Sequence, residues 1–400
     1  MSRLVGLILI CSVAMSIDAA AASPSQAERF LHEGRFAEGE TALLLALDAN
    51  ASNDEARFGL GVIQFVRAVE NLGRALHEYG AVSENATQPF LRLPVPRNEK
   101  PSTISYKAFG RVLDAFATDL ARAETTFAGI QDDDVKLRLR LSKVAFDFTG
   151  TGNERSTLLE LLTSLNREPF DFQKANPDFR VHFDRGDVAW MRAYCHLLCA
   201  MVDGYRAVDE EAGFERRVSV IFPNVDGSTK EPEDFRRPQG PKVVDAPRLR
   251  RMRLHLVTVC ELNRETWMHI RKETDDDYEW LPHPKQTDQL GLPLTDQRID
   301  GWLSMMAQWE GLLKGELLFP GYWLRLAHQE HDLEQGLNVK HLLDDPRSDL
   351  FNWERIKAEG IDAKYLEAQE GKHVFNVNAI FNVLRLFNGP FGFAYAARFN

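Results

Sequence analysis

The stretch Asp187–Asp209, DVAWMRAYCHLLCAMVDGYRAVD, decides the fold that this sequence predicts. It is apolar around nearly its whole circumference, which is typical of a helix buried in a protein interior. We therefore expect a central helix against which the rest of the chain packs. Its polar residues recur at intervals of three or four and so lie on one side of that helix. We call this set the polar stripe: Arg192, His196, Cys199, Asp203, Arg206 and Glu210.

The residue types of the polar stripe leave three interpretations open. Buried ionisable groups need partners, so the stripe could be an ion-pair network in which Arg192 binds an acid of a neighbouring helix and Asp203 binds Arg206. It could instead line a pocket in which His196 acts as a general base beside Asp203, with Arg192 as a third catalytic candidate. Finally, it could be the solvent-exposed side of the helix.

Composition narrows the class of protein. The 400 residues are 44% hydrophobic and 27% charged, which is ordinary for a globular protein with a sizeable core. The formal net charge of -11 argues against binding to nucleic acid or to anionic membranes, because both require a basic surface. We therefore expect no nucleic-acid partner.

Residues 1–22 have the pattern of a secretory signal peptide, with Arg3, the apolar run Leu4–Met15 and the small residues Ala20–Ala22. The apolar run is too short for a stable membrane anchor. The sequence predicts a periplasmic or secreted protein without stable membrane insertion after cleavage. In such a compartment Cys195, Cys199 and Cys260 are either buried free thiols or include one disulfide formed by Cys260.

The first helices carry a resemblance to a known repeat. Ala27 and Phe30 occupy its small and aromatic positions, Gly34–Phe36 the turn, Leu43 and Ala46 the second helix, and Leu60–Gly61 restores the Leu-Gly pair about 34 residues later. Residues 27–80 therefore resemble tetratricopeptide-repeat sequence. The resemblance implies a helical hairpin of the kind that binds proteins or peptides, whereas a pair of helices that merely caps a larger bundle is the alternative.

A second resemblance covers most of the chain. The run 183–209, the segment Gly336–Lys340 and the C-terminal residues Phe391–Phe393 and Phe399–Asn400 are similar to an uncharacterised group of exported bacterial α-helical proteins. This similarity implies no particular activity.

Further helices are predicted by apolar spacing over Ser105–Gly129, Arg248–Glu273 and Thr295–Leu318. The prolines of 86–103 and 222–247 indicate long connections. We predict an all-α protein in which a tetratricopeptide-like helical hairpin leads into an irregular multi-helix bundle with long Pro-rich loops. Its expected organisation is a signal peptide over 1–22, tetratricopeptide-like helices over 23–82, and a bundle domain over 83–400 with a loop insertion near 212–247.

Two segments are candidates for metal binding. His328 and His331 lie three residues apart and could share one helix face to bind zinc, with a third ligand from Asp332 or Glu334. Asp147–Glu154 resembles a calcium loop, with Asp147 and Glu154 as acidic ligands, but Leu158 stands where a calcium loop has its closing Glu. The alternatives are a solvated helix face and a helix cap.

The sequence lacks the phosphate-binding, zinc-protease and serine-hydrolase signatures. Together with the repeat resemblance, this absence favours a protein- or peptide-binding or scaffolding module without a cofactor. The alternative is a hydrolase-type or metal-dependent enzyme that uses Arg192, His196 and Asp203, or a metal at His328 and His331.

Overall fold

A computed structural model describes residues 25–86, 88–166, 179–226, 240–287, 294–321, 335–369 and 373–386. These ranges are mostly helical, as predicted, with little sheet. The expected signal peptide, together with His328 and His331, lies outside the described residues.

The helices pack on one another largely in chain order. Their bounds are α1 (Gln26–Glu33), α2 (Phe36–Ala49), α3 (Asp54–Glu78), α4 (Tyr106–Ala128), α5 (Leu158–Asn166), α6 (Arg185–Arg206), α7 (Glu211–Val218), α8 (Ala246–Ile270), α9 (Asp296–Lys314), α10 (Val339–Asp344), α11 (Trp353–Glu359) and α12 (Val377–Leu386). The longer helices form a series in which α2 packs on α3, α3 on α4, α4 on α6, α6 on α8, α8 on α9, and α9 on α12.

The predicted central helix is α6, which packs along α8 on one side and α4 on the other. It begins two residues earlier than the quoted stretch because Asp184 is its N-cap: the Asp184 carboxylate accepts the N–H groups of Gly186 and Asp187, and the Asp187 carboxylate accepts the N–H of Asp184. Asp184 and Asp187 thus cap the helix together. The helix ends at Arg206, so Glu210 does not belong to it and instead precedes α7.

Short strands join the ends of the helices. They are β1 (Leu137–Arg140), β2 (Ala145–Phe146), β3 (Ser156–Thr157), β4 (Arg180–Phe183), β5 (Val208–Asp209), β6 (Lys242–Val243), β7 (Leu317–Pro320), β8 (Gln335–Leu337), β9 (Leu366–Ala368) and β10 (His373–Val374). They form the antiparallel pairs β1–β4, β2–β3 and β5–β6 and a four-stranded sheet in the order β10-β7-β8-β9. The β1–β4 pair places Leu137 opposite Phe183, directly before the central helix.

Two predicted segments differ from the structure. The helix expected over Thr295–Leu318 ends at Lys314, because Gly315 takes a left-handed conformation and the chain continues into β7. Part of the loop insertion expected near 212–247 is helical, since α7 covers 211–218.

Among the described residues, the larger of two hydrophobic clusters extends from Ala27 in α1 to Val383 in α12. Its N-terminal part depends on close helix contacts: a Cβ at Gly59 of α3 would overlap the side chain of Ala27 in α1. Cys195, Cys199 and Cys260 are buried in this core as free thiols. Burial raises the pKa of Cys199 and of Cys260 to about 12. Within the described ranges, no helix combines the length and hydropathy that a bilayer crossing needs.

Candidate functional site

The polar stripe of α6 lies between α4 and α8 and is paired with both. Arg192 donates from Nε to Oε1 of Glu124 in α4 at 3.0 Å, so Glu124 is the neighbouring acid expected for this arginine. Burial acts to raise the pKa of Glu124, but hydrogen bonds from His196 and Arg192 outweigh it and hold that pKa below its usual value. At Arg192, the polar stripe therefore forms an ion pair between α6 and α4.

Asp203 pairs with arginines of α8 and not with Arg206 of its own helix. Arg248 and Arg251 of α8 donate to its carboxylate at 3.0 to 3.1 Å, whereas Arg206 turns to Asp114 of α4 at 3.3 to 3.4 Å. The predicted Asp203–Arg206 pair is wrong because the sequence of one helix does not reveal which side chains a neighbouring helix presents. Asp203 is 6% exposed, and its carboxylate is held by both guanidinium groups.

His196 bridges α4 and α8. Its Nε2 lies 3.5 Å from Oε1 of Glu124, and its Nδ1 lies 2.7 Å from Nδ1 of His255. The pair of imidazoles requires one Nδ1 to donate and the other to accept. Burial, and then the nearby His196, lower the pKa of His255, which favours its neutral form.

The three catalytic candidates therefore do not form the predicted acid–base pair. His196 and Asp203 are seven residues apart on one helix, about 10 Å along its axis, and bind different partners. Arg192 and His196 share Glu124, and Asp203 belongs to a separate arginine cluster. This arrangement joins α6 to α4 through Glu124 and Asp114 and to α8 through His255, Arg248 and Arg251.

Asp147, one acidic residue of the predicted calcium loop, is occupied by protein donors. Its carboxylate accepts the hydroxyl of Thr149 and the N–H groups of Gly150 and Gly152 at 2.8 to 3.0 Å. Burial acts to raise its pKa, but these bonds lower it below the usual range. The loop thus folds around its own aspartate, and the structure does not bring Glu154 to that carboxylate in any contact that it describes.

A cluster that the sequence did not reveal lies at the N-terminus of α6. Carboxylate oxygens of Asp184, Glu273 and Glu279 lie within 4.8 Å of one another, and we call these three residues the acidic cluster. Asp184 comes from the cap of α6, Glu273 from just beyond α8, and Glu279 from the loop that follows. That loop is fixed to β4 by a hydrogen bond from the N–H of His182 to the carbonyl oxygen of Tyr278.

Burial and the repulsion between carboxylates raise the pKa values of residues in the acidic cluster. Burial, and then the charge of Asp184, raise the pKa of Glu279 to about 7 and that of Glu273 to about 9. Burial also raises the pKa of the adjacent Asp187, together with the charges of Asp184, Glu273 and Glu279. The sequence contained one signal for this cluster, the acid-rich run ETDDDYE at 273–279, but it gave no reason to join that run to the cap of α6.

An apolar surface lies at the other end of the molecule. The inner side of α2 contributes Phe36, Gly39, Glu40 and Leu43 to the interior. Its outer side carries Leu44 and Leu45, which are 46% and 64% exposed. We call this side the outer face of α2; it consists of Ala37, Thr41, Leu44, Leu45 and Asp48.

Comparisons with protein-family models, with curated proteins and with solved structures find no match to this chain.

Proposed function

We propose that this protein is a non-enzymatic binding or scaffolding module, and that the outer face of α2 binds an amphipathic helix of a partner protein. The observation that carries the proposal is the exposure of Leu44 and Leu45 on a helix that is apolar on nearly every side. Helices of that composition are ordinarily covered on all sides. Export, which the features of residues 1–22 suggest, would place this role in the periplasm or outside the cell.

The geometry of the outer face suits a helix as its partner. Ala37, Thr41, Leu44 and Asp48 are separated by three or four residues, so they form one stripe along α2. Small residues at one end and leucines at the centre allow a second helix to approach closely and to insert apolar side chains.

Charge favours a partner of another kind over a second copy of this chain. Acidic side chains flank the leucines, with Glu38 at the N-terminal end and Asp48 at the C-terminal end, both exposed. Glu38 is paired with Arg35, whereas Asp48 has no ion pair that the structure describes, and each chain carries a net charge of -11, which disfavours the close association of two copies. An apolar helix edged by Lys or Arg would instead be attracted.

The tetratricopeptide resemblance supports the same role. Helices α1, α2 and α3 pack consecutively, a left-handed Gly34 ends α1, and Gly59 contacts Ala27 without space for a Cβ. Such close packing of small residues suits a repeat-like hairpin. The paired state of Arg192, His196 and Asp203 weighs against the alternative of an enzyme on the central helix.

The test is a photo-crosslinking amino acid placed at position 45 in the producing cell, with position 353 as the matched control. Trp353 is exposed to the same 64% but lies on α11. We expect position 45 to capture a different protein through an amphipathic helix edged by Lys or Arg, and the adduct to be lost in Leu44→Glu. Leu44→Glu is expected to leave the thermal midpoint nearly unchanged because the side chain is half-exposed.

Burying the exposed half of each leucine contributes about 1 kcal/mol, so truncating both in Leu44→Ala/Leu45→Ala should weaken partner binding about thirtyfold. The proposal is wrong if position 45 captures only copies of this chain, captures the same proteins as position 353, or captures a helix edged by acids.

A further inference from the structure

We propose that the acidic cluster of Asp184, Glu273 and Glu279 is a calcium site that joins the start of α6 to the end of α8. It is independent of the partner proposed above, since α2 contributes none of its residues. The separation of the three carboxylates is the first observation. Oxygens that share one Ca²⁺ at about 2.3 to 2.6 Å lie at most about 5 Å apart, and those of the cluster lie within 4.8 Å.

The second observation concerns Asp187, which is not one of the three proposed ligands. Its side chain is 2% exposed, its Oδ2 accepts the N–H of Asp184, and its Oδ1 has no hydrogen-bond partner. Buried carboxylate oxygens without a donor are costly in folded proteins. A cation at the adjacent cluster would compensate this oxygen electrostatically.

Glu273, one of the proposed ligands, likewise has one carboxylate oxygen with a hydrogen-bond donor and one without. Gln286 donates to its Oε2 at 3.2 Å, whereas its buried Oε1 has no hydrogen-bond partner. Glu279, only 3% exposed, accepts the N–H of Asp277 through Oε1. Each glutamate is therefore oriented through one oxygen by the protein, and Oε1 of Glu273 is left for a ligand of another kind.

Nearby basic side chains are engaged elsewhere. Lys136 pairs with Asp275, and Arg185 pairs with Glu265 at 3.2 Å. The N–H groups of Gly186 and Asp187 bind Oδ1 of Asp184, and the carboxyl groups of Asp184 and Glu273 lie within hydrogen-bonding reach of each other, a contact that a shared cation or a shared proton would make favourable. Glu279 is buried and Asp184 and Glu273 are half-buried, so water relieves the repulsion among the three carboxylates only in part, and a bound cation or shared protons would relieve it further.

The donor set selects the kind of cation. All three ligands are carboxylates, which suit hard cations, whereas zinc sites ordinarily include imidazole or thiolate. Three carboxylates suit Ca²⁺, which takes six to eight oxygen ligands in flexible geometry, whereas Mg²⁺ usually keeps several waters and binds through one or two carboxylates. Backbone carbonyls or waters would complete the coordination of Ca²⁺.

Protons shared between the carboxylates are the competing explanation, and neutral substitutions separate the two. The experiment compares the full mature chain with Glu273→Gln and Glu279→Gln. All are treated with a chelator and then titrated with CaCl₂ up to about 5 mM at pH 7.5. Calorimetry gives the affinity, the thermal midpoint gives the stabilisation, and Tb³⁺ luminescence excited through tryptophan reports a lanthanide at the same place.

Asp276→Asn is the matched control, because Asp276 is an exposed acid of the same loop outside the cluster and forms no ion pair that the structure describes. We expect one saturable Ca²⁺ site in the wild type and in this control, with a higher thermal midpoint and Tb³⁺ emission that Ca²⁺ displaces. Each Gln variant should lose at least about a hundredfold in Ca²⁺ affinity, since changes even in the outer shell of metal sites cost up to that amount.

Two outcomes overturn the proposal. One is a wild-type protein that binds no Ca²⁺; a higher melting temperature of Glu273→Gln or Glu279→Gln would then assign the cluster to shared protons. The other is Ca²⁺ binding of equal affinity in the wild type and both Gln variants, which would place the ion elsewhere.

Discussion

Asp203→Ala distinguishes a structural polar stripe from a catalytic one. In the wild type Asp203 receives hydrogen bonds from Arg248 and Arg251, and the substitution leaves both guanidinium groups without this acceptor. Removing one partner of a buried ion pair costs about 3 to 5 kcal/mol when the remaining charge stays buried and unpaired.

Other contacts of the two arginines, and water, reduce the expected loss of stability. Arg248 retains Asp114 at 3.0 Å and Asp245 at 3.3 Å, and Arg251 is half-exposed, so water can solvate it. We therefore expect a loss of about 2 to 3 kcal/mol. With an unfolding entropy of about 2.1 cal/mol/K per residue, a chain of this size has roughly 0.8 kcal/mol/K in total, so the thermal midpoint should fall by about 3 °C.

Scanning calorimetry at pH 7 measures this fall, with Asp300→Ala as the control. Asp300 forms an exposed ion pair with Arg271, and removing it should cost no more than about 0.5 kcal/mol. An Asp203→Ala midpoint that is equal to or above that of the wild type would refute a structural role. It would match an active-site residue instead, because catalytic groups are commonly held at the expense of stability.

Three further predictions follow from the packing and titration of the core. Gly59→Ala should destabilise the protein by about 1 to 3 kcal/mol despite the better helix propensity of Ala, and adding Ala27→Gly should restore part of that loss in urea unfolding; an additive double mutant would contradict the contact. The lowered pKa of His255 means that the unfolded chain binds more protons, so stability should fall as pH drops below about 6.5. His255→Gln should make this fall shallower, and His341→Gln, at an exposed site, should not. Burial raises the pKa of all three cysteines, Cys195, Cys199 and Cys260, so thiol reagents should react with them slowly in the native protein and rapidly after denaturation. Equal rates in both states would be inconsistent with their burial.

The helical class and the main helices could be predicted from the sequence because their signals are local. Apolar spacing of three and four residues identified α4, α6 and α8 to within a few residues. The short strands were harder to predict, since pairs of two to four residues depend on the segment that lies opposite. β1 is an example: its alternating apolar residues fit more than one structure until Phe183 is placed beside Leu137.

For the candidate sites too, the residues on one helix could be predicted from the sequence, whereas their partners on other helices could not. The sequence identified Arg192, His196 and Asp203 as one stripe, because positions on one helix are fixed by its period. It did not identify Glu124, His255, Arg248 or Arg251 as their partners, because those lie on other helices at separations of 45 to 68 residues.

By itself, then, the sequence determined that this chain is mostly helical and that a mainly apolar helix with one polar stripe lies at its centre. Only the tertiary structure decided what the stripe is, by pairing it with α4 and α8, and only it brought Asp184 to Glu273 and Glu279. The physical reason is that helix formation and amphipathicity are set by neighbours along the chain. The environment of a buried charge is set by whichever groups the fold places within a few ångströms of it.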